Sequence, residues 1–302
     1  MSDAARRMWL RQGARAWRRA YRPFAVVHSR RALLKKNDER RNMKSMLATL
    51  TIVLLAVSSG SAIAKDWSTV RFGVDASYPP FESKSADGKL VGFDIDLGNE
   101  ICRRLNAQCV WVENAFDGMI PALKGRKFDG VLSTMSMTPA RQAQIAFSSK
   151  VFRIPTRLVA KKGATIVPTP EALKGKRIGV EQGSIQETYA KTYWEPAGAV
   201  IASYQDQDLV YSDLIAGRID ASLQNAVQAD VGFLRTPRGK DFAFAGNALY
   251  DAKTLGSGTA IGLRKEDTDL KAKIDQAIAD MRADGTYDRI AKKYFDFDVY
   301  GQ

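Results

Sequence analysis

The chain has 302 residues, enough for two domains of ordinary size, and a formal charge of +13. That charge is uneven: residues 1–42 carry thirteen Lys and Arg against three Asp and Glu, and with Lys44 the first 64 residues hold +11, leaving +2 for the rest. The nearly neutral body gives no electrostatic reason for nucleic-acid binding, and the sole histidine, His28, lies in the leader, so residues 65–302 hold no Ser-His-Asp triad, no Cys-His pair and no histidine metal ligand.

Residues 1–42 read as a basic extension upstream of a true start at Met43 or Met46. Residues 43–64 read as a signal peptide. Lys44 gives the positive end, Leu47 to Val57 is an apolar run too short to span a bilayer, and Ala62-Ile63-Ala64 is a small-x-small cleavage site. Cleavage is expected after Ala64. In the body, Val70 to Val74 is a short apolar strand ending at Asp75. The prolines of Tyr78-Pro79-Pro80-Phe81 forbid helix there, and Asp87-Gly88 is a hairpin signal. Phe93 to Leu105 has helical apolar spacing, Cys109 to Val112 is a strand, Phe116 to Leu123 a helix and Asp129 to Leu132 a strand.

The next stretch, Ser133-Thr134-Met135-Ser136-Met137-Thr138-Pro139-Ala140-Arg141, carries the chemistry. Thr138 is an N-cap and Pro139 a first-turn residue, and Arg141 projects from the start of a helix. Helix-start N–H groups favour an anion, and a guanidinium grips a carboxylate with two hydrogen bonds. The pattern then restarts. Lys176 to Glu181 echoes Val70 to Asp75, and Leu214 to Ala221 echoes Leu123 to Gly130 through a shared G-R-x-(x)-D turn. Strands alternating with helices, twice over, predict an α/β protein of two lobes, each a mainly parallel sheet flanked by helices. Ligands of such sheets bind at the carboxyl ends of the strands, which puts Asp75, Ser133, Glu181 and Asn225 around one cleft. Helices are expected near 267–283 and 287–294. Cys102 and Cys109 form either a local disulfide or a pair of buried thiols. Export favours the disulfide, which is the expectation here.

Gly92-Phe93-Asp94-Ile95-Asp96-Leu97, Gln182-Gly183-Ser184, Tyr211-Ser212-Asp213-Leu214, Ala283-Asp284-Gly285-Thr286-Tyr287 and Lys293-Tyr294-Phe295-Asp296-Phe297 together resemble the periplasmic solute-binding proteins of polar amino-acid ABC transporters, family 3. The resemblance runs from about residue 70 to 301 and is strongest for the lysine/arginine/ornithine- and histidine-binding members. It implies a Venus-flytrap fold with lobe 1 at 66–152 plus 259–302, lobe 2 at 157–250, and hinge crossovers at 153–156 and 251–258. It implies a periplasmic monomer that hands an amino acid to an inner-membrane permease and its ATPase, without catalysis, cofactor or metal. Arg141 would pair the ligand's α-carboxylate, with Ser184, Ile185 and Gln186 reaching it from the opposite lobe. Tyr78 and Phe116 would be aromatic walls, Asp75 would meet a cationic tail, and Ser133, Thr134 and Ser136 would be a ladder of hydroxyls.

Two positions depart from that family. Asn225 stands where basic-amino-acid binders carry an aspartate for the α-ammonium, and Glu181 stands where they carry an apolar residue. Either the acid is relocated, or the ligand is changed to an N-substituted amino acid such as the opines octopine and nopaline. A third, remote expectation comes from relatives that have become dehydratases, for which Glu181 would be the general acid.

Overall fold

The computed structural model describes residues 65–301. The basic extension and the expected signal peptide therefore lie outside the described residues. Among the described residues no helix is long and apolar enough to cross a membrane.

The first half opens with β1 (Thr69–Val74), whose Val70, Phe72 and Val74 are fully buried. A small antiparallel sheet follows: β2 (Ser77–Tyr78), β3 (Glu82–Lys84) and β4 (Leu90–Val91). Gly92 then launches α1 (Phe93–Arg104) at φ +134°. A Cβ there would come within 2.2 Å of the Phe81 carbonyl oxygen, so this turn requires glycine. Asp94 and Asp96 in the first turn of α1, and Arg103 and Arg104 in its last, complement the helix dipole. Next come β5 (Gln108–Glu113), α2 (Met119–Lys124), β6 (Gly130–Val131), α3 (Pro139–Gln142) and β7 (Ala146–Phe152).

The chain crosses to a second sheet at β8 (Thr156–Lys161). It continues through β9 (Arg177–Glu181), α4 (Ile185–Tyr193), β10 (Val200–Tyr204), α5 (Gln207–Ile215), β11 (Ala221–Asn225), α6 (Ala226–Ala229) and β12 (Phe242–Leu249). It then returns as β13 (Thr259–Leu263) and ends on α7 (Thr268–Ala283) and α8 (Thr286–Ala291). The strand orders are β5-β1-β6-β13-β7 and β10-β9-β11-β8-β12. Each sheet has three parallel strands, extended by two that run antiparallel to their neighbours. The antiparallel strands are those that flank the two passages between sheets, where the chain arrives from the other lobe instead of through a helical crossover.

Two sequence expectations are refined. Phe116 to Leu123 is a 3₁₀ turn at Phe116–Gly118 running into α2. The strand expected at Asp129 to Leu132 is two residues, because the Asp129 side chain is taken by Arg71 and Arg264 and the chain bends after Leu132. The echoed G-R-x-(x)-D turns do the same job in both sheets. Arg71 N–H donates to Asp129 at 3.1 Å, and Arg177 N–H donates to Asp220 at 2.7 Å. Apolar clusters cover both faces of each sheet: around Phe72, Phe93 and Ile274 and around Met119, Phe128 and Ile145 on the first, and around Ile178 and Trp194 and around Tyr211 and Phe233 on the second. Cys102 and Cys109 are joined by a disulfide that ties α1 to β5.

Candidate functional site

The carboxyl ends of β1 and β6 face those of β9 and β11 across a cleft lined mostly by polar side chains. All twelve residues singled out from the sequence line it: Asp75, Tyr78, Phe116, Ser133, Thr134, Ser136, Arg141, Glu181, Ser184, Ile185, Gln186 and Asn225. Glu82, Ile154 and Thr259 also line it and were not foreseen.

The wall built on the first sheet is a hydrogen-bonded web. Asp75 follows β1, and its carboxylate accepts from Ser77 Oγ at 2.7 Å and from the Phe116 N–H at 3.1 Å. Burial nonetheless pushes its pKa above the ordinary carboxylate value. Ser133 Oγ accepts from the Asp75 N–H at 2.9 Å and donates to Glu82 Oε1 at 3.0 Å. Thr134 sits at φ +49°, a costly conformation for a β-branched residue. Its N–H is held by Asp94 Oδ2 at 2.8 Å and its hydroxyl donates to Glu82 Oε2 at 3.2 Å. Two hydroxyls of the expected ladder are thus already committed inward, to a carboxyl pair beneath them.

That pair, Glu82 and Asp94, is buried, and its two carboxyl groups hydrogen-bond to each other, which requires a proton between them. Burial raises both pKa values, and for Glu82 the neighbouring Asp94 charge raises it further. No local pattern announced Glu82. It lies in a three-residue strand whose partners Ser133 and Thr134 are some fifty residues on.

Arg141 is also buried. Thr138 Oγ1 caps its N–H at 3.3 Å, as the Thr-Pro start predicts. Its guanidinium donates to the Ser136 carbonyl at 2.9 Å and, across the cleft, to the Gly183 carbonyl at 3.0 Å. The guanidinium carbon lies 5.4 Å from the Phe116 ring centroid, so that aromatic face is shared with Arg141. Burial depresses the Arg141 pKa to about 10, against the attraction of Glu181; it remains fully charged at neutral pH.

The wall built on the second sheet is different. Glu181 ends β9 as a buried acid. Burial holds its pKa well above the ordinary value, Asp75 and Asp206 push the same way, and Arg141 opposes them. Ser184 caps α4, accepting from the Glu187 N–H at 3.0 Å, while Glu187 accepts from the Gly183 N–H at 2.7 Å. The first-turn N–H groups of Ile185 and Gln186 have no intrahelical partner, as at any helix start. The Gln186 side chain donates to Thr156 Oγ1 at 3.1 Å. Asn225 caps α6: its Oδ1 accepts from the Val227 and Gln228 N–H groups at 2.9 and 3.2 Å. Two converging N–H donors fix the oxygen there and leave the NH₂ as its free polar group.

The two walls touch. Gly183 sits at φ +75°, where a Cβ would come within 2.7 Å of the Asp117 Cα, and Gln182 Nε2 donates to Asp117 Oδ2 at 2.8 Å. Among the described residues no cluster of three or more His, Cys, Asp or Glu could hold a metal ion.

Two α/β sheets facing each other across one polar cleft, linked by two passages of chain, define a two-lobed solute-binding protein. The chain belongs to the bacterial extracellular solute-binding proteins, family 3, whose model matches residues 70–297. It is 52% identical over 259 residues to the histidine-binding periplasmic protein of Escherichia coli (strain K12), covering 86% of this chain and 100% of that one. It is 52% identical over 258 residues to the lysine/arginine/ornithine-binding periplasmic protein of the same strain, covering 85% of this chain and 99% of that one. Among solved structures, an ancestral arginine-binding protein bound to arginine matches with a TM-score of 0.71 at 34% identity, over 76% of this chain and 98% of that one.

Proposed function

We propose that this protein captures a basic or polar amino acid (arginine, lysine, ornithine or histidine) in the periplasm and delivers it as a monomer to an inner-membrane ABC permease and its ATPase. Export would use residues 43–64, with cleavage after Ala64. The carrying observation is Arg141: a buried, charged guanidinium facing the free first-turn N–H groups of Ile185 and Gln186 across the cleft. A carboxylate placed between them would be gripped from both walls. Asp75, Tyr78 and Phe116 would then receive a cationic or aromatic side chain. Ser136, Ser184 and the remaining acceptor capacity of Ser133 and Thr134 would complete the polar lining. The lobes are taken as 66–152 plus 259–302 and 157–250, hinged at 153–156 and 251–258, closing on the ligand as a clamp. The relatives named above are called binding proteins, which supports capture without chemical change.

The Asn225 amide favours a second reading. With its oxygen spent on α6, Asn225 offers the cleft a donor and not an acceptor. That suits the extra carboxylate of an opine better than the α-ammonium of a free amino acid. Calorimetry with arginine, lysine, ornithine, histidine, octopine and nopaline separates the two. Tight binding of a free basic amino acid, with the opines ignored, is the expected result. Opine binding that is lost in Asn225→Asp, with free arginine improved, would replace it by the second reading.

A further inference from the structure

Glu181 is the one acid of the cleft that the protein leaves alone. The residue is 6% exposed and lines the cavity, and among the described residues its carboxyl group has no hydrogen-bond donor or salt-bridge partner. The other acceptors that line that wall are engaged, and only the Asn225 NH₂, a donor, is left free beside it. The Asn225 oxygen and the Ser184 hydroxyl cap their own helices, and Gln186 donates to Thr156. Behind them, Gln224 accepts from Tyr211 and Gln207. A buried acceptor without a donor is costly unless something is to be received there.

The charges around Glu181 say what. Asp75 faces it from the end of β1, Asp117 from the 3₁₀ turn before α2, and Asp206 from the start of α5. Arg141 opposes them, and Tyr78 and Tyr211 are phenols within the same field. Three acids against one guanidinium make this corner attractive to a cation, and Arg141 already has two carbonyls to serve. Without a ligand, burial and the same acids favour a neutral carboxyl. A cation seated against it reverses that balance.

We propose that Glu181 is a specificity-determining residue that holds the ammonium or guanidinium of the bound ligand from the second lobe. Burial and the neighbouring acids keep its carboxyl protonated before the ligand arrives, and pairing with a cation releases that proton to solvent. The exchange balances. The neutral carboxyl loses one proton to buffer, the ligand cation keeps all of its own, and an ion pair replaces the O–H bond. This rests on the amino-acid reading of the preceding section. It adds that the acid missing at Asn225 is supplied by the end of β9, and that capture of a cationic ligand is linked to pH.

The test is calorimetry with L-arginine and L-lysine at pH 6, 7 and 8, each in phosphate and in Tris, whose different ionisation enthalpies report the protons released. The expected result is release of up to one proton per ligand, with affinity rising as pH rises, by up to tenfold per unit while the carboxyl is still protonated in the empty cleft. Glu181→Gln is expected to remove most of the release, flatten the pH dependence and weaken binding tenfold or more. Thermal unfolding of the ligand-free variant, expected to be unchanged or higher in midpoint, excludes misfolding as the cause, and Glu181→Leu repeats the test without a polar group. Glu181→Gln that binds arginine within twofold of the parent overturns the assignment. So does release that persists undiminished in Glu181→Gln, which would place the titrating group at Asp75 or at the Glu82 and Asp94 pair. A parent that binds no cationic amino acid overturns the amino-acid reading itself, and this assignment with it.

Discussion

The two walls of the cleft are built on opposite principles. On the first, each acid has protein donors: Asp75 has Ser77 and the Phe116 N–H, and Glu82 has Ser133 and Thr134. On the second, Glu181 has none, and the neighbouring polar groups are turned back to cap α4 and α6. A satisfied network is rigid before the ligand comes, whereas an unsatisfied acid is a vacancy that a cation fills. One wall is a preorganised floor and the other supplies the charge that the ligand must match. That division would suit the proposed clamp, because the unmet group and the satisfied network lie on opposite lobes.

The largest effect is expected at Arg141, which serves both walls. Arg141→Ala removes the group facing the expected carboxylate and the bond to the Gly183 carbonyl together, leaving an anion poorly paired in a buried site. The expected loss of ligand affinity is about 2–5 kcal/mol, read by calorimetry. Affinity within tenfold of the parent would remove Arg141 from the ligand and leave it a strut between lobes.

How far the two walls could be read from sequence differs in the same way. Asp75, Ser133, Glu181 and Asn225 are legible because the ends of parallel strands converge by topology alone. Arg141 is legible because Thr138 and Pro139 mark a helix start. The resemblance to a known family supplied Tyr78 and Phe116. What escaped is what tertiary packing decides. Glu82 looks like an ordinary acid after Phe81, and Asp94 like a first-turn helix charge. Their pairing depends on α1 docking its first turn, through the Gly92 turn, beneath the loop at Ser133 and Thr134. Ile154 escaped because it belongs to a passage between sheets, which has no periodicity to read, and Thr259 because it is the first residue of the strand that follows the other passage.

The next effect sharpens the account of the preorganised wall. Glu82 and Asp94 have folded pKa values raised above their unfolded ones, Asp94 to about 7, so the native state binds more protons than the unfolded chain above about pH 4. Stability contributed by the pair is therefore present at low pH and lost as pH rises through the folded values. The slope is up to about 1.4 kcal/mol per pH unit for each proton. Glu82→Gln keeps an acceptor for Ser133 while removing one charge, and should flatten the decline between pH 5 and 8. Urea unfolding across that range, in a Glu181→Gln background so that the second wall is silent, reads the difference. Parallel stability curves for the two proteins would mean that the pair does not share a proton.

The smallest effect concerns the seam where the walls meet. Gln182 Nε2 donates to Asp117 Oδ2 at 2.8 Å in a solvent-exposed position, and no strand or helix of either lobe depends on the bond. It accompanies the close approach of Gly183 to Asp117, so it stabilises the contact between the lobes and not the lobes themselves. Exposure and screening limit a bond of this kind to about 0.5–1 kcal/mol. Gln182→Ala should therefore leave the unfolding midpoint of the ligand-free protein unchanged and weaken ligand binding by at most about fivefold, through faster dissociation. Asp117→Ala removes the same bond but also lifts an acid away from Glu181, so its effect need not equal that of Gln182→Ala. A double-mutant cycle on dissociation rates measured by stopped flow separates the two contributions, because only the Gln182–Asp117 bond appears as the coupling energy. A coupling energy of zero would assign the seam to shape alone, with the close approach at Gly183 and no polar latch. A coupling that slows dissociation while leaving association untouched would identify it as a catch that acts after the lobes have closed.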